Sequence, residues 1–158
     1  MALASSYLLD AASAEFTPIW IPQRTSTGEE WHPLLVESRG QTQLGEPMIE
    51  ALETQADLAV IVSDGFENDP PGAVSEVVRV FRRKLDPDEA TSIVHLNPVF
   101  DAEDYQPHAL SEFFPTLGLR DAEDIPTMLG FARFASGAAQ LSELEEYLAA
   151  RVHEVLAS

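Results

Sequence analysis

One acidic segment of the chain carries the residue types that bind a hard cation. Asp64 directly follows a continuous apolar run, and Glu67, Asn68 and Asp69 come shortly after it. Mg²⁺ and Ca²⁺ prefer carboxylate, hydroxyl and water oxygens, so we expect Asp64 and the Thr42 hydroxyl to supply part of an octahedral shell. The alternative is local: Asp64 only starts a turn and residues 67–69 cap the next helix, since acidic residues are common in turns.

The sequence lacks the residues of several common catalytic sites. It contains no cysteine, which excludes thiolate nucleophiles, disulfides and cysteine-bound zinc. The four histidines have no metal-ligand spacing, and His95, within an apolar run, is expected to be a core residue whose polar groups are satisfied. The segment Gly40–Gly45 lacks the lysine and spacing of a P-loop, and no Gly-x-Ser-x-Gly motif provides a serine nucleophile.

The excess of acidic over basic residues makes some classes of binding partner unfavourable. Lys and Arg total 9 against 27 Asp and Glu, which gives a formal net charge of −18. Such a chain repels phosphate backbones and anionic lipid headgroups, so we expect no nucleic acid and no membrane among its partners. No apolar run approaches the roughly 18–20 residues that span a bilayer. The N-terminus also lacks the basic start of a signal peptide, so the sequence predicts a cytoplasmic protein with a single domain over residues 1–158.

Strands that alternate with helices must position the acidic segment. Two continuous apolar runs, residues 57–63 and 91–96, predict neighbouring parallel strands buried on both faces. The first is expected to be the central, most buried strand of a sheet of four to five strands. In a parallel sheet, ligands bind beyond the carboxyl ends of the strands. That rule points to three segments: Gly40–Gly45, Asp64–Gly72 and Asn97–Asp104.

Other elements are predicted from periodicity and capping signals. Amphipathic spacing predicts four helices, over residues 2–14, about 44–55, about 74–85, and from Ser142 onward. Weaker patterns predict strands at Phe16–Pro22 and 128–134, and a short helix near 108–114. Alternating strands and helices favour an α/β fold.

Two segments resemble a known family, the von Willebrand factor A (vWA) domains. Asp57–Gly65 resembles their fourth strand followed by Asp-Gly, and Gly40–Leu52 resembles their Gly-Gly-Thr-x-Leu-Gly segment with its helix. Ser63–Gly72 is similar to vWA domains of the bacterial Ro-autoantigen-like group. The resemblance, which extends over residues 2–97, implies a three-layer, Rossmann-like α/β sandwich with a mainly parallel sheet. It also implies a metal-ion-dependent adhesion site for Mg²⁺, with its threonine at Thr42 and its aspartate at Asp64.

The chain departs from that family at its N-terminus. The first loop of the metal site, Asp-x-Ser-x-Ser, has no counterpart, because Asp10-Ala-Ala-Ser13 has the wrong spacing. Aligned by pattern, Met1 falls inside the family's first helix, so the fold is expected to be incomplete, without its first, central strand. Unpaired backbone groups at such a gap favour association with another chain, most commonly as a closed dimer. We therefore expect weak or absent Mg²⁺ binding and a homodimer with Leu3, Tyr7 and Leu8 at the contact. The alternative is a monomer in which the two strands that flank the missing one in the family, strands two and four, pair directly.

Three functions follow from these observations. The prediction is a non-enzymatic vWA-type module that binds another protein, with a degenerate metal site and with Glu67, Asn68 and Asp69 at the partner contact. An alternative from a different class is a divalent-metal-dependent hydrolase. Its carboxylates would be Asp64, Glu67, Asp69 and either Asp101 or Asp104. The third is a structural subunit of a split or oligomeric vWA protein, which is compatible with the first.

Overall fold

The part of the chain that the structure describes forms helices and a three-stranded parallel sheet, which is an α/β arrangement. The computed structural model describes residues 2–21, 42–101 and 105–120, and single positions at 125, 127, 130, 134, 142, 145, 146, 149, 152 and 153. The elements in chain order are α1 (Ala2–Ala12), α2 (Gly45–Glu53), β1 (Leu58–Val62), α3 (Ala73–Lys84), β2 (Ser92–Asn97) and β3 (Thr116–Gly118). Among the helices of these residues, none has the length and apolar character needed to cross a membrane.

The sheet has the order β1-β2-β3 with every strand parallel to its neighbour. All residues of β2 are buried, whereas in β1 only Ala59 is fully buried. The predicted strands at 57–63 and 91–96 are confirmed as neighbours, but the prediction that the first is central is wrong for the described residues. A continuous apolar run is the expected sequence of a central strand and also of an edge strand that is covered on both faces, so the sequence does not distinguish the two positions. Because β2 contains the polar residues Ser92, His95 and Asn97, its sequence does not indicate that it is the most buried strand.

Helices α2 and α3 pack together on one face of the sheet. In α2 the apolar residues recur every fourth position, and Pro47 lies in the first turn, where a missing N–H costs little. In α3 the buried Val74 and Val78 are likewise four residues apart, so they face the sheet together. The core on this face consists of Leu44, Met48, Leu52, Ala59, Val74, Val78, Ile93, Leu110 and Phe114.

The opposite face of the sheet has a second core, to which α1 contributes. Buried residues of this core are Val94, Leu96, Leu119 and Ile125, and Leu9 of α1 packs against them. Ser5, four residues before Leu9, is buried as well. Tyr7 and Leu8 lie on the outer face of α1, exposed to 67% and 39%. They are therefore free to meet another surface, as the dimer prediction requires; the Leu3 side chain lies outside the described residues.

Three of the weaker predictions are wrong. Residues 16–21 are irregular rather than a strand, because Pro18 cannot donate to a ladder; Pro22 lies outside the described residues. Residues 108–114 are irregular with several bends rather than a helix; His108 at the start of the segment bonds to Asn97 and Gly65 instead. Gly130 and Phe134 are helical, which contradicts the strand at 128–134; a short apolar run fits either element. The helix predicted from Ser142 is confirmed at the described positions between 142 and 153.

Candidate functional site at the carboxyl edge of the sheet

The segments predicted to share a site meet at the carboxyl edge of β1. The backbone N–H groups of Asn68 and Asp69 donate to the Thr42 carbonyl at N···O distances of 3.1 and 3.3 Å. Thr42, just before α2, is therefore in direct backbone contact with residues 63–69, which we call the rim loop. Gly40 and Asp104, from the two other segments predicted at this edge, lie outside the described residues.

Asp64 presents a charged carboxylate to solvent. Its Oδ1 accepts the Phe66 N–H at 3.1 Å, which closes the local turn that acidic residues favour after a strand. The residue is exposed, and it belongs to neither of the ion pairs that the described residues form, Arg79–Glu76 and Arg82–Asp86. The turn holds the carboxylate in place and leaves its charge unneutralised by any described cation.

Glu67 is directed to helix α3 rather than to solvent. Its Oε2 accepts the Val74 N–H at 3.1 Å, in the first turn of α3, where the helix dipole favours a negative charge. Its Oε1 is buried and has no hydrogen-bond partner within the described part of the chain. The helix-capping alternative considered above therefore describes Glu67, while Asn68 and Asp69 are exposed.

Two residues outside the rim loop, Asn97 and His108, hold its backbone through hydrogen bonds, and we call this pair the clamp. The Asn97 Nδ2 donates to the Asp64 and His108 carbonyls, both at 3.0 Å, and its Oδ1 accepts the Val99 N–H at 2.8 Å. The His108 Nδ1 donates to the Gly65 carbonyl at 3.0 Å. Gly65 has φ of 83°, and a Cβ there would lie 2.4 Å from the His108 carbonyl oxygen. Only glycine permits this approach without strain.

The same clamp places an aromatic pair at the surface. The Phe66 and His108 rings are stacked, with centroids 4.4 Å apart and an interplanar angle of 23°. Phe66 is 52% exposed, and His108 is exposed too. One face of the Phe66 ring is covered by the imidazole, so its outer face is available for a binding partner.

His95 of β2 links the start of the rim loop to β3. Its Nε2 lies 2.9 Å from the Ser63 hydroxyl and 3.1 Å from the Ser63 carbonyl, and its Nδ1 lies 3.1 Å from the Thr116 hydroxyl. The residue is fully buried, as the sequence predicted, and burial lowers the pKa of its imidazole against the opposing effect of the Ser63 carbonyl.

The tautomer of His95 matters for catalysis. Because a carbonyl only accepts, the contact with the Ser63 carbonyl places the proton on Nε2. In that tautomer the Nδ1 accepts from Thr116, and His95 cannot act as a base toward the Ser63 hydroxyl. The Ser63–His95 pair therefore stabilises the strand ends and is not arranged as a nucleophile with its base.

The fit of Mg²⁺ to these residues is incomplete. Asp64 offers a carboxylate and Thr42 a half-buried hydroxyl, while Glu67 is engaged with α3. No group of three or more His, Cys, Asp or Glu side chains lies close enough to hold a metal ion within the described ranges. Mg²⁺ requires near-octahedral oxygen coordination. The described residues alone do not make up that shell.

Several residues of this edge were not singled out from the sequence. Asn97 follows the second apolar run, and a polar residue at that place was the available signal. Phe66 and His108 gave no signal, because the stack joins residues 42 positions apart in the chain. Comparison of the chain with protein-family models, with curated proteins and with solved structures gave no match.

Proposed function

We propose that this chain is a vWA-like module that binds another protein through the rim loop and performs no catalysis. Asn68 and Asp69 are the exposed contact residues, with Glu67 supporting them from the start of α3. The proposed fold is the three-layer sandwich of that family, with a degenerate metal site at Thr42 and Asp64 that binds Mg²⁺ weakly or not at all. A cytoplasmic location and a homodimeric state belong to the same proposal.

One observation carries the proposal. The two segments that resemble vWA domains, Gly40–Leu52 with Thr42 and Asp57–Gly65 with Asp64, adjoin at the carboxyl edge of a parallel sheet, where the Thr42 carbonyl bonds to the rim loop. This is where α/β sheets bind ligands, at loops that the strands position. The exposed Phe66 next to that contact is a feature of a binding surface, since aromatic residues are enriched in protein–protein interfaces.

The hydrolase alternative finds less support in the same residues. It needs several carboxylates gathered around a water-activating metal. Glu67 bonds to the α3 backbone, and the described residues contain no metal-binding group of acidic side chains. The structural-subunit alternative is compatible with the proposal, because β1 has a strand neighbour on only one side within the described sheet.

Affinity capture from a lysate with matched variants tests the proposal. We expect wild-type protein to retain a specific protein that the Phe66→Ala/Asp69→Ala variant loses. The control is Leu85→Ala/Asp88→Ala, which removes an exposed apolar side chain and an exposed carboxylate at the opposite end of the sheet. Retention of the same proteins by both variants would contradict a role for the rim loop.

Calorimetric titration with Mg²⁺ and Mn²⁺ tests the metal part separately. We expect little or no binding heat, and any binding should disappear in Asp64→Ala, because Asp64 is the carboxylate assigned to the metal in this proposal. Tight binding that persists in Asp64→Ala would place the metal elsewhere in the chain.

A further inference from the structure

The outer face of Phe66 and the Asp64 carboxylate lie together on the rim loop. We infer that they form a binding site for an arginine side chain of the partner protein, with the guanidinium stacked on Phe66 and paired with Asp64. The inference rests on the proposed function and names the chemistry of the partner. In the resembled family, a carboxylate of the partner would complete the coordination of the metal, whereas in this site the partner contributes a cation.

A hydrogen bond ties the Asp64 carboxylate to the backbone of Phe66. The Asp64 Oδ1 is 3.1 Å from the Phe66 backbone nitrogen, so the carboxylate is fixed at the base of the residue that carries the ring. The His108 ring backs the inner face of Phe66 at 4.4 Å. In the proposed site, a planar cation stacks on the outer face of the ring and its N–H groups pair with the carboxylate.

The charges around the site favour a cation. Asp64 and Asp69 are exposed, and the whole chain carries a formal net charge of −18. Arg120, two residues after β3, lies over the Phe100 ring, 5.5 Å from its centroid. An anionic group of a partner would be repelled here, whereas arginine would gain both attraction and stacking.

An apolar contact adjoins the site and favours a peptide segment over a free cation. Val99 is 50% exposed, and its N–H is bonded to the same Asn97 side chain that holds the Asp64 carbonyl. A leucine beside the arginine would cover Val99. Arginine is preferred to lysine because only the planar guanidinium stacks and donates through two N–H groups at once.

Short peptides provide a direct test on the full chain, observed by two-dimensional NMR of its amides. The probe is acetyl-Leu-Arg-Leu-amide, and its matched control contains citrulline, which keeps the shape and loses the charge. We expect the arginine peptide to shift the amide signals of Gly65 and Phe66 and to bind at least about two- to fivefold tighter than the citrulline peptide. Asp64→Asn and Phe66→Ala should each weaken binding by a similar factor, and Asp88→Asn should not; the spectra also report whether each variant is folded.

Several outcomes would overturn the inference. Equal binding of the arginine and citrulline peptides would remove the role of charge. Tighter binding of acetyl-Leu-Glu-Leu-amide in the presence of Mg²⁺ would show the opposite polarity. If no arginine peptide binds while the Phe66→Ala/Asp69→Ala variant still loses its captured partner, the proposed function stands and the arginine site is wrong. If no arginine peptide binds and the Phe66→Ala/Asp69→Ala variant also retains the same proteins as wild type, the proposed function is rejected as well.

Discussion

Replacing Gly65 by alanine should destabilise the protein more than the same change at Gly72. Both glycines have positive φ, 83° and 78°, so an alanine at either place costs about 1–2 kcal/mol of backbone strain. At Gly72 a new Cβ meets nothing within 4 Å. At Gly65 it would lie 2.4 Å from the His108 carbonyl oxygen, 3.0 Å from the His108 Nδ1 and 3.1 Å from the Asn97 Nδ2. The backbone carbonyl cannot swing aside like the end of a flexible side chain.

The additional cost follows from the bonds that this displacement breaks. Separating the rim loop from His108 strains the hydrogen bonds from Asn97 to the His108 carbonyl and from His108 to the Gly65 carbonyl. At about 0.5–1.5 kcal/mol each, their loss makes Gly65→Ala about 1–3 kcal/mol more destabilising than Gly72→Ala.

Urea unfolding followed by circular dichroism measures both variants against wild type, with equal denaturant slopes as the condition for comparison. Equal free energies of unfolding for the two variants would refute the close packing of the rim loop on His108.

Three further predictions follow. Burial lowers the pKa of His95 below its unfolded value of about 6.5, so the unfolded chain takes up this proton first as the pH falls. Wild type should therefore lose free energy of unfolding relative to His95→Gln between about pH 7.5 and 5.5, and a constant difference would contradict this. Leu96→Ala should cost about 2–5 kcal/mol in urea unfolding because the residue is fully buried, whereas Val80→Ala, at an exposed site, should cost much less. Light scattering over a concentration series should show a dimer that Tyr7→Ser weakens, and a strictly 17.3 kDa species at high concentration would reject obligate association.

The sequence predicts those elements of the fold whose patterns are set by neighbouring residues. The spacing of Leu44, Met48 and Leu52 predicts α2, and the run before Asp64 predicts β1, because helix and strand periodicities are local. The order of burial between β1 and β2 could not be predicted this way. His95 and Asn97 look like interruptions of an apolar strand until their partners, Ser63, Thr116 and His108, are known.

The candidate site was predictable only in part, for a related reason. Asp64 and Thr42 could be proposed as site residues because they belong to short segments with a recognisable pattern. The orientation of Glu67 could not be predicted, because both a helix cap and a solvent-facing residue fit its place in the sequence. Its carboxylate bonds to the backbone of Val74, seven residues further along. The Phe66–His108 stack depends on the path of the chain after β2, which no local pattern specifies.

The complete burial of β2 has a consequence for the kinetics of binding. A strand that is buried in every residue and paired on both sides over its last residues, as β2 is, should exchange the amide hydrogens of those residues mainly through global unfolding. Asn97, the last residue of β2, holds the Asp64 carbonyl directly. The rim loop is thus held in place by the strand that we expect to exchange its amide hydrogens most slowly. A partner would meet a surface with little conformational entropy left to lose, and changes in its affinity should appear in the rate of dissociation more than in the rate of association.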